Sequence, residues 1–169
     1  MPTLVSAGRA TTDGSGSTDG WIEAAPFRAH LRHLMAVSDL SASAVAVLAG
    51  ISPRCAYRLL HGRAGRPLRR ISPETARKLL RVSAVDARAV RRRTVPSAST
   101  ARHLDELLGS GWNEEELARL LGLTHSEVAA IRAQTSRSCS QLAALRVAAE
   151  ISLLRMRLAA SPFRAQAAA

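Results

Sequence analysis

The sequence predicts an all-α chain, two small helical domains joined by a short linker. Three observations carry that expectation. Ala, Leu and Arg dominate the 169 residues, and all three favour helix. No run of alternating β-branched residues marks a strand. Two stretches, ASAVAVLAGISPRCAYRLL (42–60) and EEELARLLGLTHSEVAAIRA (114–133), repeat one pattern. Each has an amphipathic run, a glycine (Gly50, Gly122), an apolar residue (Ile51, Leu123), a helix-starting hydroxyl (Ser52, Thr124) and a second run.

Residues 1–20 are rich in Gly, Ser, Thr and Asp and are expected to form a disordered tail. The first domain is expected over 21–93. Pro26 suits a first helical position, and the helix it opens should end near Val37. A second helix follows over about 41–49. Ser52 then caps a third that starts at Pro53 and stops at Gly62. A basic loop, GRAGRPLRR (62–70), leads to Ser72-Pro73-Glu74, which repeats the cap-plus-proline signal and starts a helix ending near Val82. The basic stretch DARAVRRR (86–93) closes the domain, and 94–100 reads as the linker.

The second domain is expected over 101–160. One helix covers 101–108, and Gly109-Ser110-Gly111 breaks it. Asn113 with Glu116 makes a capping box, and Trp112 with Leu117 a hydrophobic staple. Thr124 with Glu127 repeats the box, and Ser138 with Gln141 marks the start of a long last helix. That helix carries Val147, Ile151, Leu154 and Leu158 as a stripe, with Leu142 and Leu145 nearby. The stripe reads as the domain's own core or, alternatively, as a dimer seam. Residues 161–169 should form a flexible tail.

The net charge of +11 is concentrated in one segment. Residues 1–52 carry three Arg against four acids, and 101–169 carry eight Arg against seven acids. Residues 53–100 carry thirteen basic residues against Glu74 and Asp86. A local block of this kind is an electrostatic footprint for a polyanion. All the basic residues but Lys78 are Arg, which forks phosphates and guanine edges bidentately.

A glycine that tolerates positive φ, with small or apolar residues at fixed offsets around it, lets two short helices cross closely. From the turn glycine, the second stretch places Leu117, Ala118, Leu121, Leu123, Val128 and Ile131 at those offsets. The first places Val45, Ala46, Ala49, Ile51, Ala56 and Leu59, a thinner set. This is the pattern of a helix-turn-helix, whose second helix lies in a DNA major groove. An ordinary helical hairpin in a bundle is the plainer reading of either stretch.

The pattern resembles bacterial and phage helix-turn-helix transcriptional regulators. The run ISPRCAYRLLHGRAGRPLRRISPETARKLL is similar to such proteins of actinobacteria and their phages, among them immunity repressors with two DNA-binding domains. The resemblance implies sequence-specific binding of double-stranded DNA and repression of transcription. By position, the first recognition helix would expose Ser52, Arg54, Tyr57, Arg58 and His61, with Arg54 and Arg58 on one face. Those arginines would contact guanine edges or phosphates, and Tyr57 a phosphate or thymine methyl. Arg63, Arg66, Arg69, Arg70 and the Arg91, Arg92, Arg93 cluster would hold the backbone or minor groove. Arg63-Ala64-Gly65-Arg66-Pro67 resembles the extended heart of an AT-hook, which lies in a narrow minor groove. The second recognition helix would offer Thr124, His125 and Ser126, with Arg132 and Arg137 nearby.

The two stretches differ in sequence, so no internal twofold is expected. A monomer with both helix-turn-helix units contacting one asymmetric operator is favoured over a homodimer on a palindrome. Two other classes remain open. In one, the first domain anchors DNA while the second binds a protein partner or dimerises. In the other, the chain is an accessory factor of excision or recombination. No enzyme motif, metal pattern or cofactor-binding loop is present in the sequence. No signal peptide or membrane-spanning run is visible, and Cys55 and Cys139 lack partners in sequence, so a cytoplasmic, nucleoid-associated protein of a bacterial host cell is expected. The final Ala-Gln-Ala-Ala-Ala resembles the small apolar tags read by bacterial AAA+ proteases, which would make a host protease a partner.

Overall fold

The computed structural model describes residues 20–160. The expected tail before Gly20, the expected tail over 161–169 and its resemblance to a degradation signal lie outside those residues. Among the described residues the chain is mostly helical, with nine helices and four strands of two or three residues. The first six elements are β1 (Ile22–Glu23), α1 (Ala25–Ser38), α2 (Ala42–Ala49), α3 (Pro53–His61), β2 (Arg70–Ile71) and α4 (Pro73–Leu80). A short α5 (Ala84–Ala89) follows. The rest are β3 (Thr94–Pro96), α6 (Ala98–Gly109), α7 (Glu114–Leu121), α8 (His125–Arg132), β4 (Ser138–Ser140) and α9 (Gln141–Ala160). Among the described residues no single helix is long and apolar enough to cross a membrane.

The helix signals read from sequence are built as local chemistry. Ser41, Ser52, Ser72, Asn113 and Thr124 each accept a backbone N–H of their helix's first turn. Gly50 and Gly122 end α2 and α7 in the left-handed region, at φ 68° and 66°. In both turns the next N–H reaches back into the helix, Ile51 N to Ala46 O at 2.9 Å and Leu123 N to Ala118 O at 3.0 Å. That six-to-one bond closes a helix C-terminus without a side chain.

Three expectations are corrected. Ser138 does not cap the last helix; it lies in β4, and Ser140 Oγ accepts from Ala143 N instead. Residues 94–100, read as a linker, form β3 and the first turn of α6. The segment 83–93 contains α5, with Ser83 and Asp86 as its capping box. The strands escaped sequence reading because two or three residues are too few to show alternation.

The strands reveal a duplication wider than the glycine turns. The order β-α-α-α-β-α occurs twice, as β1-α1-α2-α3-β2-α4 and β3-α6-α7-α8-β4-α9. In each copy the two strands pair antiparallel, Ile22 with Ile71 and Val95 with Cys139. In each, the residue opening the first helix also bonds across the ribbon: Ala24 N to Arg69 O at 2.8 Å, and Ser97 N to Arg137 O at 3.1 Å. The copies stand 72 positions apart at the turns (Gly50, Gly122) and 68 at the last cap (Ser72, Ser140), because α3 is one residue longer than α8 and the connection 62–69 is three residues longer than 133–137.

The copies share a helix. One side of α9 supplies Ala143, Val147 and Ile151 to the core of the second copy, with Leu104, Leu107, Leu117 and Val128. The other side supplies Leu145 and Ala149 to the core of the first, with Leu31, Leu34, Val45 and Leu59. The apolar stripe of the last helix is therefore core for Val147, Ile151 and Leu154, while Leu158 stays exposed. Leu142 and Leu145 close a seam between the copies of one chain.

Candidate nucleic-acid interface

The α3 helix divides cleanly. Pro53, Ala56 and Leu59 face the core at three-residue spacing. Arg54, Tyr57, Arg58 and His61 are exposed, as is the cap Ser52. Tyr57 is 63% exposed, and its ring lies 4.6 Å from the His61 ring, tilted by 40°. The tyrosine ring therefore rests on a neighbour at the surface and takes no part in the core. Arg54 and Arg58 line one depression of about 260 Å³ with Arg70 of β2, Ser52, Thr75 and Trp21. So α3 and β2 bring three guanidinium-bearing residues to one place that the sequence separated by twelve to sixteen positions.

The loop after α3 is not extended, and the AT-hook expectation is corrected here. Arg63 and Arg66 pair across a two-residue tip, with N–H···O bonds of 3.0 Å in both directions. The tip residues Ala64 and Gly65 have φ of 48° and 74°. Positive φ at both central residues is the signature of a type I′ hairpin turn. Opposed residues in such a ladder project to the same side, so Arg63 and Arg66 leave the tip together. Gly62 sets the entry: a Cβ there would sit 2.0 Å from the Arg66 carbonyl oxygen.

Arg28 fixes this hairpin to α3, a role with no local sequence signal. Its Nε donates to Leu59 O and its Nη2 to Leu68 O, both at 2.7 Å. Leu59 O belongs to the last turn of α3, where carbonyls lack helical partners. Trp21, 59% exposed beside Arg54 and Arg70, is a second residue that sequence reading left without a role. Its exposure is visible only once β1 is placed against β2.

None of Arg54, Arg58, Arg63, Arg66, Arg69 and Arg70 forms an ion pair among the described residues. All six are exposed. The Arg91–Arg93 cluster is different. Arg91 pairs with Asp39 at 2.9 Å and Arg93 with Asp86 at 3.5 Å. Arg91 and Arg92 line a separate groove between α1 and α5, which shares no residue with the α3 depression. The structure does not bring this cluster to the α3 face.

The second copy presents another electrostatic surface. Arg132 of α8 is held by Asp105 at 3.1 Å and by Glu114, so its charge is neutralised within the copy. Thr124 is engaged by the Glu127 carboxylate, through its N–H at 2.7 Å and its hydroxyl at 2.8 Å. Those bonds, the backbone one first, hold the Glu127 carboxyl below its ordinary range, so it is anionic at neutral pH. His125, Ser126 and Arg137 are exposed. Glu114, Glu115 and Glu116 are exposed along α7. A phosphate approaching α8 meets fixed negative charge where α3 offers free guanidinium groups.

The chain matches no family model, no curated protein and no solved structure.

Proposed function

We propose that the chain is a sequence-specific double-stranded DNA-binding protein acting as a transcriptional repressor, with α3 as the helix that enters the major groove. The carrying observation is the convergence of Arg54, Arg58 and Arg70 on one exposed depression, flanked by the Arg63–Arg66 hairpin, with no carboxylate paired to any of them. Arg54 and Arg58 stand four residues apart on α3 and read base edges. Arg63 and Arg66 follow the adjacent backbone or minor groove, and Arg69 and Arg70 hold phosphates. Bound protein then blocks polymerase by occupying the promoter.

This reading places DNA on the first copy. The second copy serves as buttress and protein surface, because Arg132 is ion-paired and Glu127 lies at the start of α8. A protein anchored on DNA by one module and presenting another is the form of the proposal that these charges favour.

The test is anisotropy of a labelled duplex with two charge-matched variants. Arg58→Glu changes the α3 face, and Arg92→Glu changes an exposed arginine outside it. The expected result is a loss of about tenfold or more for Arg58→Glu and less than about threefold for Arg92→Glu. Equal losses would leave only general attraction of a basic protein to a polyanion, and no loss in either would defeat the proposal.

A further inference from the structure

We infer that copies of this chain associate head-to-tail, with α4 of one copy seated on α7 of the next in the arrangement that α9 takes on α2 within one chain. The inference stands on the duplication and is independent of the DNA reading.

The internal junction is heterologous: the last helix of the second copy lies on α2 of the first, so unlike surfaces meet. A junction of that kind leaves each partner surface unused at the far ends and propagates when a further copy arrives. The unused surfaces are the counterparts of α2 and α9, namely α7 and α4.

Their chemistry differs from the internal pair in a complementary way. Val45, Ala46 and Ala49 of α2 face its own core, as Leu117, Ala118 and Leu121 of α7 do. The other side of α2 carries the buried Ala44 and the half-buried Val47 and Leu48, which pack against the core that Leu145 and Ala149 of α9 join. Seventy-two positions on, that side of α7 is Glu116, Arg119 and Leu120. With Trp112 these residues line an open groove of about 530 Å³. On α9 the residues against the first copy are Leu142, Leu145 and Ala149. Sixty-eight positions earlier, α4 and its C-cap place Glu74, Arg77 and Arg81 there, all exposed.

Along α7 and α4, charge therefore replaces the apolar contact. Along α7 the exposed Glu114 is paired with Arg132 and Glu115 with Arg119, while α4 with its cap exposes Arg77 and Arg81 and pairs Glu74 with the half-buried Lys78. The charges left without an ion-pair partner among the described residues are Glu116 on α7 and Arg77 and Arg81 on α4, opposite in sign. Leu120 and Trp112 give the groove an apolar floor, and Leu80, 63% exposed, borders the α4 side. At physiological salt the long-range repulsion between chains of charge +11 is screened beyond about 8 Å, while pairs in contact are screened less.

Sedimentation velocity of the full chain at about 0.15 M salt tests this, because contact pairs survive there while net repulsion is damped. The wild-type sedimentation coefficient should climb with concentration and show no plateau at a dimer. Glu116→Arg and Arg81→Glu should each weaken association about tenfold, the equivalent of about 1.4 kcal/mol. The double variant, and an equimolar mixture of the single variants, should recover it, since each then joins opposite charges at every junction. Arg81→Glu leaves the α7 capping box intact but puts an anion at the α4 C-terminus, so recovery in the equimolar mixture is what separates a lost junction from a weakened helix. A wild type that stays monomeric, a closed dimer, or association that survives both single reversals would overturn the inference.

Discussion

At the scale of single residues, recognition on the proposed reading turns on which arginines are free. Arg54 and Arg58 have no carboxylate partner and face solvent, so each should contribute to recognition by about 1–3 kcal/mol if it forks a base edge. Replacing either with Ala should cost that much at the preferred site and less on unrelated duplex, as titration on both duplexes would read. Arg132→Ala should leave DNA affinity unchanged while lowering the melting temperature, because its partners Asp105 and Glu114 lose their cation. The sequence placed Arg132 and Arg54 in the same role, since a residue's type and helical position say nothing about which acids fold against it. The capping carboxylates make a further prediction. Asp86, through the Ser83 hydroxyl and then its N–H, and Glu127, through the Thr124 N–H and then its hydroxyl, are held below their ordinary values of 3.8 and 4.5. Groups with depressed folded pKa values stabilise the fold above the ordinary range and lose that contribution as pH falls through the folded values. The melting temperature should hold from neutral pH down to that range and decline below it.

At the scale of elements, local signals were legible and pairing was not. The caps Ser41, Ser52, Ser72, Asn113 and Thr124 and the stops Gly50, Gly62 and Gly122 are written in adjacent residues, so the helices they bound were readable. β1, β2, β3 and β4 exist through partners more than forty residues away, and their local sequence carries no strand signal. The hairpin tip lies between these cases. Its Ala-Gly centre suits a type I′ turn less than Asn-Gly would, and the Arg-Pro beside it suggested an extended strand. Gly62 and the Arg28 bonds impose the fold of that loop from outside it. Gly62→Ala should therefore cost roughly 1–3 kcal/mol of stability, from positive φ and the clash with the Arg66 carbonyl. It should also weaken DNA binding by misplacing Arg63 and Arg66. Thermal melts and duplex titration of the same sample read the two effects.

At the scale of the whole molecule, α9 makes one body of what the sequence divides into two domains. The division followed the composition of 94–100, and composition does not show that Leu145 and Ala149 pack on the far copy while Val147 and Ile151 pack on the near one. Unfolding should then be a single transition. Leu145→Ala should lower it by roughly 2–5 kcal/mol, the cost of emptying a buried leucine site, without splitting it. Calorimetry showing two independent transitions would contradict the shared core. The proposed DNA face is likewise a product of the assembly, since α3, the hairpin and β2 meet only in the fold. With about four to six phosphates neutralised there, log K should fall against log salt with a slope of roughly −4 to −5. The most direct measurement is selection of bound sequences from a random duplex pool, followed by footprinting of the winner. If α3 is the reader, the winner is one uninterrupted site of about one helical turn, matching one recognition helix in one major groove, that Arg54→Ala relaxes at particular bases. Failure to enrich any sequence, or a site unaffected by changes in α3, would contradict that reading.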